Sequence, residues 1–184
     1  MKSLILAFCI LISFSSFSQN DTESKKYKHE SKIMLSQLLE KMKISATPIL
    51  NDKATTQDLN DCFKTTFKDS DDLTEKEKKQ LKKEIDNPSY FKWTNEYVDN
   101  IKIIKETELN KIFENHTEGW KNFREKYGKS IIRLSKPIFL RNYTICIISY
   151  SETFDYLGGY GETGCFKKIN GKWVKFGTFC MWNS

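Results

Sequence analysis

Phe166-Lys167-Lys168-Ile169-Asn170-Gly171-Lys172-Trp173-Val174-Lys175 is the stretch whose reading decides the fold. Asn-Gly between two runs rich in β-branched and aromatic residues selects a type I′ turn, because both central positions of that turn need positive φ. The resulting hairpin sets Ile169 opposite Lys172, Lys168 opposite Trp173 and Phe166 opposite Lys175. Outward from it the strand-like composition continues: 131–134, 138–140, 143–151, 164–169 and 172–182 read as strands separated by turn signals, with Arg141-Asn142 the weaker turn.

Upstream of residue 130 the period is helical. Met34, Leu35, Leu38, Leu39 and Met42 form the apolar stripe of a helix over 25–43 that Thr47-Pro48 ends. A second helix over 57–68, capped by Thr55 and Asp58, lines one face with Leu59, Cys62, Phe63, Thr66 and Phe67 and so turns Cys62 inward. Thr74 and Glu77 make a capping box for a surface helix over 75–86, which carries only Leu81 and Ile85 as its stripe and stops at Asn87-Pro88. Tyr90-Phe91-Lys92-Trp93 shows no assignable period, and Ile101, Ile103 and Ile104 suggest a short strand. Helices over 106–114 and 117–127 follow, the latter with Trp120, Phe123 and Tyr127 along one side and Gly128 past its end. The pattern predicts an α+β fold, N-terminal helices packed on a C-terminal antiparallel β-meander, as a single domain over 19–184 with its helical part at 19–128 and its sheet part at 129–184.

Residues 1–18 stand apart. Lys2, an apolar run over 4–12 and small residues at Ser16 and Ser18 fit a secretory signal cleaved after Ser18, so the mature chain is expected to begin at Gln19 in the periplasm or outside the cell. The run is shorter than the roughly 20 apolar residues a spanning helix needs, and no second such run follows, so no transmembrane segment is expected in the mature chain. Cys9 after Leu6 invites a lipid anchor, but bulky Phe8 precedes it where a small residue belongs.

The 184 residues carry a net charge of +6, with 39% hydrophobic and 14% aromatic content, enough for one folded domain and against general disorder. Lysines are mixed with Glu and Asp through the helical half, which reads as a solvated surface, and no nucleic-acid partner is expected. Once Cys9 leaves with the signal, Cys62, Cys146, Cys165 and Cys180 remain as disulfide candidates. A bridge from Cys165 is open to Cys146 on the preceding strand or Cys180 on the next, while Cys62 is either a buried thiol or bridged. With no Cys-x-x-Cys pair or Cys/His cluster, no metal and no cofactor are expected.

Catalytic constellations are sparse. His29 and His116 lack triad partners, there is no Gly-x-Ser-x-Gly elbow, and Asp69-Ser70-Asp71-Asp72 fails as a calcium loop because Thr74 and Gln80 stand where Gly and Glu are required. No catalytic residue is assigned. Residues 151–164, read as a long hairpin loop, concentrate carboxylates, aromatics and glycines; Glu152, Asp155, Tyr156, Tyr160 and Glu162 are its candidate ligand-binding residues. Asn115-His116-Thr117 and Asn142-Tyr143-Thr144 match the glycosylation acceptor pattern.

The run Leu134-Ser135-Lys136-Pro137-Ile138-Phe139, the strand after it, the Gly-rich segment to Gly161 and Lys168-Ile169-Asn170-Gly171-Lys172-Trp173 together resemble the C-terminal half of small exported proteins of Bacteroidota, and Phe17-Ser18-Gln19 is similar to signals common in that group. The resemblance implies an envelope or secreted bacterial protein and carries over no catalytic residue. The expectation is a non-catalytic binding or scaffolding domain. The alternatives are a hydrolase of polysaccharide or peptidoglycan-like substrates using the 151–164 carboxylates, and a module that docks through its 25–43 helix.

Overall fold

A computed structural model describes residues 24–42, 48–86 and 91–184. The expected signal with its cleavage point, Cys9, the Thr47 helix end and the Asn87-Pro88 stop involve positions outside the described residues. In chain order the elements are α1 (24–41), β1 (Pro48–Asn51), α2 (Gln57–Thr65), α3 (Glu75–Asp86), β2 (Lys102–Ile104), α4 (Glu106–Phe113), α5 (Gly119–Lys126), β3 (Ser130–Leu134), β4 (Ile138–Leu140), β5 (Ile145–Thr153), β6 (Gly159–Ile169) and β7 (Lys172–Asn183). They build the α+β fold that the pattern predicts, with the antiparallel β5-β6-β7 meander at the C-terminal end.

The sheet is mixed, in the order β2-β1-β3-β5-β6-β7, with β4 paired to β5 beside β3. β1 runs parallel to both of its neighbours, and the remaining pairs are antiparallel. Two strands therefore come from the 19–128 part. β2 is the one suggested by Ile101, Ile103 and Ile104. β1 was not expected, since Pro48-Ile49-Leu50-Asn51 is too short to show alternation and finds its partners only in distant segments.

The hairpin register is the one that Asn-Gly dictates: Ile169 faces Lys172, Lys168 faces Trp173 and Phe166 faces Lys175. Asn170 at φ 49° and Gly171 at φ 79° supply the positive angles of the turn.

Every residue of β5 from Ile145 to Glu152 is buried, so the sheet needs cover on both faces. On the front face Cys146, Ile148 and Tyr150 join Leu50, Ile132, Phe166 and Trp173 under Met34, Leu35 and Leu38 of α1. Trp93, from the unassigned aromatic stretch, is buried there too and donates its indole N–H to the Leu134 carbonyl at 3.3 Å. On the back face Ile145, Ile147 and Cys165 meet Leu59, Cys62, Leu81 and Ile85 of α2 and α3. Further toward the β1 edge, Ile49 and Ile131 meet Leu109, Trp120 and Phe123 of α4 and α5. Full burial of such a side chain contributes about 1.5–3 kcal/mol, which is why the covering helices stay docked.

α1 is fastened to the hairpin by polar contacts as well. Lys168 Nζ donates to Glu30 at 2.5 Å, and the Trp173 backbone N–H donates to Gln37 Oε1 at 2.7 Å. Its apolar stripe is covered by the sheet, which removes the basis for reading it as a docking helix.

Two helix starts differ instructively. The Thr74 N–H donates to Glu77 Oε2 at 2.9 Å and the Glu77 N–H returns to Thr74 Oγ1 at 3.4 Å, completing the expected box. At α2 the N-cap is Thr56, without a side-chain bond, so the expected Thr55 and Asp58 cap does not form. α2 also ends at Thr65, ahead of the expected 68, because the chain tightens into a 3₁₀ turn over Phe67–Asp69.

Glu77 also receives Arg141 through Nε at 2.7 Å and Nη2 at 3.1 Å. That fork, together with the Thr74 N–H and hydroxyl that both donate to Oε2, holds its carboxyl at about 2, below the usual 4.5. The stabilisation is therefore complete above the ordinary carboxylate range and fades as pH falls from about 4.5 toward 2. Glu77→Gln should lower stability at neutral pH by about 1–2 kcal/mol, a figure reduced for the half-exposed Arg141. Urea unfolding from pH 7 to pH 2 should show the deficit shrinking toward zero; a deficit independent of pH would contradict the pairing.

Candidate functional site

The segment expected to form a long loop is mostly ladder. β5 continues to Thr153 and β6 begins at Gly159, so only 154–158 form the hairpin tip. The correction follows from Gly159, Gly161 and Gly164, which read as loop residues but serve close packing. A Cβ on Gly161 would lie 2.5 Å from Trp182 Nε1, and one on Gly159 3.3 Å from the same indole. The indole of Trp182 lies against a strip of bare backbone on β6.

This geometry splits the five candidate residues. Glu152 faces Tyr160 and Tyr150 faces Glu162 in the β5-β6 register, which places all four on the front face. The Tyr160 hydroxyl donates to Glu152 Oε2 at 2.8 Å, and the Tyr150 hydroxyl donates to Glu162. Lys175 of β7 forms an ion pair with Glu162. Glu152 is 2% exposed, so its carboxylate sits among protein groups and not in an open cleft. Burial and the neighbouring carboxylates push both phenols upward, Tyr150 and Tyr160 alike, and keep them as donors. The result is a checkerboard of two phenols and two carboxylates with a lysine beside it, a hydrogen-bonded patch that closes the front face where α1 no longer covers it.

Asp155 and Tyr156 belong to the tip. Arg124 of α5 donates to Asp155 Oδ2 at 3.0 Å and to the Phe154 carbonyl at 2.8 Å. The Tyr156 N–H and that guanidinium hold the Asp155 carboxyl below its ordinary range. The Tyr156 ring meets Phe113 and Trp120 edge-on at 6.4 Å, tying the tip to α4 and α5. Tyr150, Lys175 and Arg124 were not singled out in the sequence. The signal for Lys175 lay in the Asn-Gly register, but the extension of β6 past Gly164 had no mark in the composition.

A second arrangement was not anticipated. Between α2 and the end of β7 lies a cleft of about 240 Å³ bordered by Asp58, Asp61, Cys62, Cys180 and Trp182. Burial raises the Asp58 carboxyl and nearby Asp61 adds to it, while Arg133 opposes both. Arg133 is largely enclosed and donates to Thr153 Oγ1 at 2.9 Å. Glu162 also borders this cleft, but its carboxylate is taken up by Tyr150 and Lys175.

Cys62 and Cys180 form a disulfide in this cleft, across 118 residues of sequence. Of the pairings left open by the sequence, neither bridge from Cys165 forms. Cys146 faces Phe166 while Cys165 faces Ile147, so the two point to opposite faces of the sheet, and Cys180 faces Thr163 one step along the ladder. Both remaining thiols are free and buried. Burial pushes the Cys165 thiol up to about 12, and Cys146 is raised for the same reason. Among the described residues no group of three or more His, Cys, Asp or Glu is placed to hold a metal ion, and His29 and His116 are exposed. No described helix is long and apolar enough to cross a membrane.

Comparison with family models, curated proteins and solved structures finds no match to the chain.

Peptide mapping after alkylation tests the cysteine assignment. Native protein should leave Cys146 and Cys165 unlabelled, denaturation alone should label these two, and only added reductant should release Cys62 and Cys180. Replacing both bridged cysteines with Ser should cost about 2–4 kcal/mol in urea unfolding. Labelling of Cys62 without reductant would contradict the bridge.

Proposed function

We propose that the protein is an exported, non-catalytic binding domain and that it holds a protein partner along the outer edge of β7. The observation that carries the reading is the distribution of exposed apolar side chains. Phe154, Tyr156, Leu157, Ile169, Val174, Phe176, Met181 and Trp182 are the large exposed apolar residues among those described, and all lie on the β5-β6 tip or the β6-β7 hairpin. Met181 is 73% exposed and Phe176 50%.

β7 is also an edge strand, paired among the described residues only with β6, so its outer backbone groups can accept a further strand. An extended apolar segment would add main-chain hydrogen bonds and cover these side chains together. Lys172 at the start of the same strand favours a segment that also carries an acid. The carboxylates of the 151–164 segment support binding over catalysis, because each already serves a tyrosine, a lysine or an arginine. The bridge between Cys62 and Cys180 and the secretory pattern of residues 1–18 agree with an oxidising, exported setting.

A second reading, hydrolysis of a polysaccharide, rests on the raised Asp58 carboxyl beside Asp61 and Trp182 in the α2-β7 cleft. Turnover by the purified protein that disappears in Asp58→Asn would replace the binding reading.

A photo-crosslinking side chain at Phe176 or Met181 in the native host should trap one discrete partner, and the same probe at Lys121 on α5 should not. That partner, once purified, should slow amide exchange across 172–183. Equal adducts from all positions, or none, would overturn the reading.

A further inference from the structure

Away from the β7 edge, α2 and α3 enclose an open groove of about 440 Å³ lined by Lys64, Lys68, Lys78, Lys79 and Lys82 with Glu75 as its carboxylate, and with Asn60 and Phe63 below. We propose that this groove binds an acidic polysaccharide. The lysines are arranged as a rim over an apolar base. Lys78 keeps 15% of its side chain exposed, and its stem lies along the groove while Nζ reaches Glu75 at 2.9 Å. Lys82 Nζ stands 5.9 Å from the centre of the Phe63 ring and 2.6 Å from Asp86, and Lys64 is 4.0 Å from Asp61. Lys68 and Lys79 have no ion pair among the described residues, although both face the same trough.

The chemistry narrows the ligand. Glu75, Asp86 and Asp61 answer three of the five ammonium groups, and the two left over, Lys68 and Lys79, favour an anionic ligand with spaced charges. No arginine lines the groove, so no planar fork selects single carboxylates or phosphates, and recognition rests on charge density along a chain. Single-stranded nucleic acid gains from an exposed aromatic face on which its bases stack, but Phe63 is 9% exposed and lies under Lys82. A concave trough between two helices does not match the flat surface of an anionic bilayer. Acidic peptide motifs are recognised by clusters of arginine, and this groove is lined by lysine alone among its cations. A carboxylated glycan fits: its acid groups meet the rim, and the C–H faces of its sugar rings lie along the lysine stems.

The test uses purified protein and size-defined oligogalacturonate by calorimetry at about 50 mM salt, where charge-driven binding is strong. Binding should weaken with salt, and Lys68→Gln with Lys79→Gln should weaken it about tenfold and lower the salt slope by one to two. Lys111→Gln with Lys129→Gln, the same charge change elsewhere on the surface, should alter affinity less than about twofold, the scale of screened surface charge. Equal losses in both pairs would reduce the effect to net charge and overturn the groove. Tighter binding to a single-stranded oligonucleotide, polyglutamate or phosphatidylglycerol vesicles would overturn the glycan assignment, as would no binding to oligogalacturonate. Independently of variant folding, bound oligogalacturonate should protect Lys68 and Lys79 of the unaltered protein from acylation. Unprotected lysines in a saturated complex would also overturn it.

Discussion

A central strand buried on both faces is the constraint from which the rest of the molecule follows. β5 exposes nothing from Ile145 to Glu152, so its even and odd positions each need a covering layer. The chain meets this with α1 on the front and two helix pairs on the back. The back layer is divided because α2 and α3 precede β2 while α4 and α5 follow it, each pair packing over a different part of the sheet. Between these pairs Arg133 is enclosed, and its charge is answered by Asp58 and Glu106 across the gap. A cation there fills the space where two apolar clusters fail to meet, and burial lowers its pKa while those acids oppose the shift.

Cover also runs out toward the hairpin tip, and the chemistry of the sheet changes there. Where α1 packs, the front face carries Ile148 and Phe166; Tyr150 stands at the margin of that cluster, and next to it come Glu152, Tyr160 and Glu162. Polar groups at buried and half-buried positions are tolerable only when paired, and the checkerboard of phenols and carboxylates supplies each with a partner in the adjacent strand. The same four residues would look like catalytic equipment in a sequence. In the fold they are the polar closure of a face that lacks a helix. On the other side, bare backbone at Gly159 and Gly161 receives the Trp182 indole, so the C-terminal strand seals its own end.

Legibility in the sequence tracked the range of the interactions. The Asn170-Gly171 register, the Thr74 and Glu77 box and the bounds of α3 could be read because each depends on neighbours in the chain, and β4 and β2 because their own residues are mostly β-branched or aromatic. β1 could not, since Pro48–Asn51 becomes a strand only by lying between β2 and β3. The split of Glu152, Tyr160 and Glu162 from Asp155 and Tyr156 was hidden for a related reason. Glycines in β6 look like turn residues until the indole they accommodate is known. The disulfide is wholly tertiary: it requires the inward face of α2 and a β7 position 118 residues later to meet over β6.

α2 is where these constraints and the surface chemistry join. One side of the helix inserts Leu59, Cys62 and Phe63 into the back core, and Cys62 is bonded to the edge strand through Cys180. The side facing α3 contributes Asn60 and Lys64 to the lysine trough, while Asp58 and Asp61 border the cleft toward β7. A nine-residue helix is too short to hold such a position by its own backbone bonds, and its propensity is modest with Thr, Asn and Asp in it. The covalent tie therefore acts on both surfaces at once, fixing the helix against β7 and, through the shared core, against α3. Of the two free thiols only Cys165 shares this back core, Cys146 lying on the front face, and both have a raised pKa, which disfavours the thiolate that exchange with the bridge would need. Burial thus preserves the one pairing on which both neighbouring surfaces depend.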